Sequence, residues 1–252
     1  MLHGRDLELR TLRDAVARAA DGRGTAVVVG GGVGTGRTAL LDAVAVAAGR
    51  AGLTVLRAAS ALVERDFEYG VVRQLFDPLL AAAGADARGR WLAASGGSLP
   101  AALAVEPLDR PEPHDQHGRV RELQALLATV GAERPVLVLV DDLQWADTAS
   151  LQWLNRLVAR VAELPVSFVG TTLHGDPGAG RPPVRGLAAA AVPLRARPLG
   201  PAAVRGVVAG RFGRAGDPEF LQVCEEVSGG VSLWVRQAAA SSGSGLLTVG
   251  GL

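Results

Sequence analysis

The sequence predicts an α/β fold: a parallel sheet covered by helices on both faces, with a small helical subdomain at the C-terminal end. Three observations predict it. Short runs rich in Val, Leu and Ala alternate with helix-spaced segments up to Ala196. Those runs are apolar throughout rather than every second residue, as suits strands buried on both faces. After Pro198 the strands stop and three helical segments follow one another.

Arg5 to Ala20 carries Leu9, Leu12, Val16 and Ala19 at helical spacing, with charges between them, and opens the domain as a helix. Thr25 to Gly30 reads as the first strand, followed by a glycine cluster and a helix beginning at Arg37. Leu53 to Ala58 is the second strand, and Tyr69 to Ala83 is helical with an expected kink at Pro78. Ser95 to His117 contains SGGS and four prolines and reads as a surface excursion. Arg119 to Val130 returns to helix, Pro135 to Val140 is a central strand, and Thr148 to Ala162 is helix. Pro165 to Thr172 is a further strand, Gly175 to Pro183 a loop, and Ala189 to Leu194 a fifth strand. The chain thus divides into a core over 1–196, helices over 197–245 and a tail over 246–252.

Composition narrows the function classes. All the basic residues are arginine, and the 26 of them face 25 acidic residues. A net charge of +1 provides no long-range field for nucleic acid or anionic lipid, so a bound phosphate must be held locally. Direct nucleic-acid binding by this segment is not expected. One cysteine, Cys224, excludes an internal disulfide and reads as a small core residue on a helix. The charged start MLHGRDLELR lacks a leader's apolar segment, and no run reaches the length of a membrane span, so a soluble, cytoplasmic protein is expected.

Between the first strand and its helix stands Gly31-Gly32-Val33-Gly34-Thr35-Gly36-Arg37-Thr38, then Ala39. It fits G-x-x-x-x-G-K-[ST] with arginine in place of lysine. Glycines let the backbone curl so that successive N–H groups point at phosphate oxygens, and the helix N-terminus adds positive potential. Thr38 would offer its hydroxyl to Mg²⁺, and Arg37 would reach the β- and γ-phosphates as a catalytic cation. The competing reading is a glycine turn without a ligand.

Asp141 and Asp142 close the VLVLV run. There Asp141 is the expected magnesium residue and Asp142 the expected base for an attacking water. Thr171 and Thr172 end the next strand and are candidates for sensing the γ-phosphate. His114, Asp115 and His117 have metal-like spacing without a further ligand cluster and are not read as a metal site. Trp145, Trp153 and Trp234 are read as packing residues.

The segments LHGRDLELRTL, GGGVGTGRTALL, FEYGVVRQLFDPLL, VLVLVDDLQWADTASLQWL and EVSGGVSLWVRQ together resemble the P-loop ATPase module of the STAND class within the AAA+ superfamily. The likeness is nearest to the module of large ATP-binding LuxR-type transcriptional regulators. It extends over nearly the whole chain. The resemblance implies ATP or ADP with Mg²⁺ as ligands, Gly4 and Arg5 near the adenine end, and a helical lid over the nucleotide. It also implies a protein partner or C-terminal regulatory domains that read the lid. Three positions depart from the family: Arg37 replaces lysine, Leu173 stands where relatives carry a phosphate-sensing arginine, and Val231-Ser232 replaces the Asn-Pro of a GGNP lid signature. The expected function is therefore an ATP-binding signalling switch with weak hydrolysis. The alternative is a degenerate P-loop domain that serves as an interaction scaffold without hydrolysis. A small-molecule kinase is a third reading, for which no acceptor-site constellation is visible.

Overall fold

The computed structural model describes residues 2–96, 103, 116–212 and 216–241. Five strands form its sheet: β1 (Ala26–Gly31), β2 (Thr54–Ala59), β3 (Val136–Asp141), β4 (Val166–Leu173) and β5 (Val192–Ala196). Their order is β2-β3-β4-β1-β5, and every neighbouring pair is parallel. Ten helices accompany them among the described residues. These are α1 (Asp6–Ala20), α2 (Arg37–Arg50), α3 (Gly70–Ala82), α4 (Ala85–Ala94), α5 (Gln116–Glu133), α6 (Thr148–Arg160), α7 (Pro182–Ala190), α8 (Pro201–Phe212), α9 (Pro218–Ser228) and α10 (Ser232–Ser241).

Residue alternation along the central strands divides the interior into two cores. Val27, Val29, Leu137, Leu139 and Val169 face α1 and α2, meeting Leu12, Val16, Leu40, Leu41 and Val44. Ala26, Val28, Val136, Val138, Val140 and Phe168 face the opposite way, where Val72, Phe76, Leu123, Leu127, Trp153 and Leu157 cover them. Strands buried on both faces need apolar residues at every position, and β1 and β3 are buried throughout. Phe76 and Trp153 meet edge to face, their ring centres 5.6 Å apart. The helices α8 to α10 build a separate small core from Val204, Val208, Phe220, Cys224 and Val235. Burial there pushes the Cys224 thiol above its ordinary pKa.

The sequence reading departs from the structure at several elements. Residues 85–94 form α4, which the reading left unassigned. The expected loop over 175–183 ends in a helix. Pro182 and Pro183 occupy its first turn, where the missing N–H costs nothing, so residues that look like breakers begin α7. The fifth strand accordingly starts at Val192 rather than Ala189. Pro78 lies on the exposed side of α3 and does not end it, because the buried face of Val71, Val72, Leu75, Phe76 and Leu80 holds the helix to the sheet. Of the expected excursion, 97–102 and 104–115 lie outside the described residues, as do 242–245 of the expected helical subdomain and the whole expected tail, 246–252.

Asp147 ties the starts of α3 and α6 together on one face of the sheet. It caps α6 by accepting from the Ser150 amide at 2.8 Å, and also accepts from the amides of Tyr69 (2.9 Å) and Val71 (3.2 Å) at the start of α3. Tyr69 itself sits at φ 61°, a conformation unusual for a side chain of its size. Three buried N–H groups therefore depend on one carboxylate, which is 3% exposed. Asp147→Ala is expected to lower urea-denaturation stability by about 3 kcal/mol; a loss under about 1 kcal/mol would contradict this account of the α3–α6 junction.

Candidate functional site

β4 lies between β1 and β3. Neighbouring strands are about 4.8 Å apart, so the loop leaving β1 and the acids ending β3 stand roughly 10 Å from one another. That gap opens beyond the carboxyl ends of the strands, where ligands of such sheets bind. The 31–38 segment crosses it as a tight turn. Gly34 and Gly36 adopt φ of 71° and 91°, values open to glycine and strained for other residues. Gly36 then serves as the N-cap of α2, so the amides of the first helical turn face the gap. Thr35 closes the turn on itself, donating from Oγ1 to the Gly32 carbonyl at 2.9 Å.

Five of the expected site residues, Arg37, Thr38, Asp141, Asp142 and Thr171, meet across this gap. Thr38 Oγ1 donates to Asp141 Oδ2 at 2.6 Å, and Thr171 Oγ1 donates to Asp141 Oδ1 at 2.5 Å. The Thr171 hydroxyl also accepts the Asp142 amide at 2.8 Å. Arg37 Nη1 pairs with Asp142 Oδ1 at 2.7 Å. Asp142 itself is held at φ 55° and ψ 54°, the second non-glycine residue with positive φ among those described. Thr172 alternates to the other side of β4. There it lines a separate depression of about 220 Å³ with Gly30, His174 and Arg195, away from Asp141.

Beside the loop lies a cleft of about 240 Å³, closed by three stretches remote in sequence. Leu2, His3 and Arg5 come from the N-terminal segment, Gly34 to Ala39 from the loop and α2 apart from Thr35, Leu199 from the segment before α8, and Val207, Ser232 and Leu233 from the C-terminal helices. Arg5 is almost wholly buried. It donates to the Thr35 carbonyl at 2.7 Å and pairs with Glu8 at 2.8 Å, so it braces the loop as well as lining the cleft. Gly4, at φ 65°, lies against Ala203 of α8, a contact with no room for a side chain. Val33 is exposed, and Gly31 and Gly32 sit under Thr35.

The C-terminal helices touch the loop directly. The Leu233 amide donates to the Gly34 carbonyl at 3.0 Å, and Ser232 Oγ approaches the Thr35 carbonyl at 3.3 Å. The Val231-Ser232 departure noted in the sequence thus falls at the contact between α10 and the loop. Sequence reasoning missed His3, Leu199, Val207 and Leu233 as cleft residues: His3 and Leu233 lie within segments that carry the resemblance without being singled out there, and Leu199 and Val207 belong to no motif. It also missed Gln144, whose fully buried amide bonds Asp142 and the Leu173 backbone. Trp145 donates to Asp176 at 3.1 Å and Trp153 is core, whereas Trp234 is half exposed. His117 lines a groove with Arg121 and Arg156, while His114 and Asp115 lie outside the described residues.

The loop, the acids at the end of β3 and the strand order define a P-loop ATPase of the AAA type. The chain belongs to the AAA ATPase domain family, whose profile matches residues 2–169. Solved structures of similar fold include the ORC1 protein of Aeropyrum pernix in complex with DNA, at 20% identity and a TM-score of 0.56, covering 95% of this chain and 58% of that one. A STAND protein with a tetratricopeptide repeat sensor from Pyrococcus horikoshii is similar at 17% identity and a TM-score of 0.53, covering 92% and 28%. Cdc6p of Pyrobaculum aerophilum is similar at 15% identity and a TM-score of 0.59, covering 99% and 65%. The chain therefore spans less than two thirds of each of these proteins. No curated protein matches it. Among the described residues, no helix is long and apolar enough to cross a membrane.

A side chain at Gly34 would have to adopt positive φ and would meet Val231 Cγ1 and Leu233 Cβ at 2.8 and 2.9 Å. Gly34→Ala is expected to push α10 off the loop, with amide exchange at Leu233 at least about tenfold faster. Unchanged protection of that amide would contradict the contact.

Proposed function

We propose that this chain is the nucleotide-operated switch of a signalling regulator of the STAND class, binding ATP or ADP with Mg²⁺ and turning ATP over slowly. The cleft carries the proposal. It is closed jointly by the loop of the core and by α8 and α10, so a ligand there touches both at once. A ligand that binds one arrangement of those helices better than another shifts the population between them, and that shift is what a partner or a further domain can read.

The residues suit the group. Thr38 Oγ1 and the Asp141 carboxylate are adjacent hard oxygen donors of the kind Mg²⁺ takes. Amides of the glycine turn and of the first turn of α2 suit phosphate oxygens, with Arg37 beside them. When bound, ATP supplies the phosphoanhydride whose γ-phosphoryl is transferred to water. Asp142 is the base in this reading, Thr171 holds both acids in place, and Gly4 and Arg5 frame the base end of the nucleotide. The core over 1–196 and the helices over 197–245 are the two parts of the switch, with 246–252 as a tail. One structural neighbour supports the reading: the Pyrococcus horikoshii protein is a signal transduction ATPase with numerous domains. A transcriptional regulator of LuxR type is the finer form of this proposal, resting on the sequence resemblance, and a near-neutral charge argues against DNA contact by this segment.

One observation favours a second reading, a scaffold without hydrolysis: Arg37 is already paired to Asp142, the residue that would activate water. A planar guanidinium does not replace a compact ammonium in a tight loop without consequence. Calorimetric titration with ATP and with ADP in Mg²⁺ decides binding, and micromolar Kd values are expected. Absence of binding by both up to millimolar levels would discard the switch. Phosphate release then separates the two readings: slow wild-type turnover supports the switch, whereas turnover that appears only in Arg37→Lys supports the scaffold.

A further inference from the structure

We infer that Gln144 is a positioning residue that holds Asp142 against Arg37 of the cleft wall and thereby sets the preference for nucleoside triphosphate over diphosphate. The inference rests on the nucleotide reading given above. Gln144 is fully buried. Its Nε2 donates to Asp142 Oδ1 at 2.9 Å, and its Oε1 accepts the Leu173 amide at 3.1 Å. The partners dictate which way the amide is turned, because a carboxylate can only accept and a backbone N–H can only donate. Gln144 therefore spans the gap between the end of β3 and the end of β4, at the level where Leu173 provides no polar side chain.

Both side-chain donors to Asp142 converge on one oxygen. Oδ1 receives Arg37 at 2.7 Å and Gln144 at 2.9 Å. Arg37 belongs to the loop and lines the cleft, and added phosphate charge there draws it from Asp142 by simple Coulomb attraction. A triphosphate puts more charge within its reach than a diphosphate. As Arg37 turns away, Asp142 keeps one side-chain donor, Gln144. Without that amide, the departure of Arg37 strands a largely buried carboxylate, and the cost falls mainly on the triphosphate complex.

The test is calorimetric titration of ATP and ADP, each with Mg²⁺, on wild type, Gln144→Leu and Gln144→Glu. Gln144→Leu is expected to lower the ATP-over-ADP affinity ratio about tenfold while ADP affinity stays within about threefold, which also reports that the variant is folded. Gln144→Glu keeps the acceptor for the Leu173 amide but sets a carboxylate against Asp142, and the same loss or a larger one is expected. In an Asp142→Asn background the effect of Gln144→Leu on the ratio is expected to shrink to less than about twofold, because the residue acts through Asp142. Ratios unchanged in both single variants would overturn the inference, and so would a Gln144→Glu protein that behaves as wild type or an undiminished effect in the Asp142→Asn background. Wild-type protein that binds neither nucleotide removes the nucleotide reading and this inference together, whereas binding without any effect at Gln144 removes the inference alone.

Discussion

The Asp141 carboxylate takes the Thr38 hydroxyl of α2 on one oxygen and the Thr171 hydroxyl of β4 on the other. Three elements that are not consecutive in the chain therefore converge on one side chain, 6% exposed, at the upper edge of the sheet. The position of the glycine turn depends on this junction, since Thr38 lies in the first turn of the helix that the turn opens. Asp142 depends on it too, since its amide, in a residue held at positive φ, rests on the same Thr171 hydroxyl. Strand order makes the arrangement possible: with β4 between β1 and β3, a β4 side chain can reach the acids of β3 while the loop from β1 crosses in front of them.

Arginine in the loop changes the character of the site rather than its framework. A guanidinium can satisfy a carboxylate while leaving further N–H groups directed elsewhere, which an ammonium does less readily. Here the pair is largely buried, with side-chain exposures of 12% for Arg37 and 23% for Asp142. A ligand that recruits Arg37 must disrupt an existing interaction of substantial strength, so occupancy and rearrangement are coupled within the site. The same coupling extends outward. The loop's carbonyls receive Arg5 from the N-terminal segment and Leu233 from α10, so displacement of the loop is felt at both ends of the chain.

Much of this was legible in the residues, for identifiable reasons. Unbroken apolar runs located β1, β3 and β4, because strands buried on both faces allow little else. The glycine spacing located the turn, and the acid pair was found because it closes an apolar strand. Helix α7 was hidden by prolines that a first turn accepts, and α4 by a segment with only Trp91 fully packed. Thr171 and Thr172 were indistinguishable as letters; only the phase of the strand directs one to Asp141 and the other to the His174 depression. Gln144 gave no signal because its role depends on a backbone amide contributed by another strand. The cleft walls of Leu199 and Val207 arise from how α8 and the segment before it pack, a long-range outcome that no local pattern encodes.

The central claim is that the amides around Gly34 to Thr38 form an anion cradle opposite Asp141. A crystal structure with Mg²⁺ and a non-hydrolysable ATP analogue tests it most directly. The account predicts phosphate oxygens within hydrogen-bonding distance of those amides, a magnesium ion about 2.1 Å from Thr38 Oγ1, and Arg37 turned from Asp142 toward the phosphates. An analogue seated elsewhere, such as the depression beside Thr172, with the glycine turn and the Arg37–Asp142 pair unaltered, would contradict it.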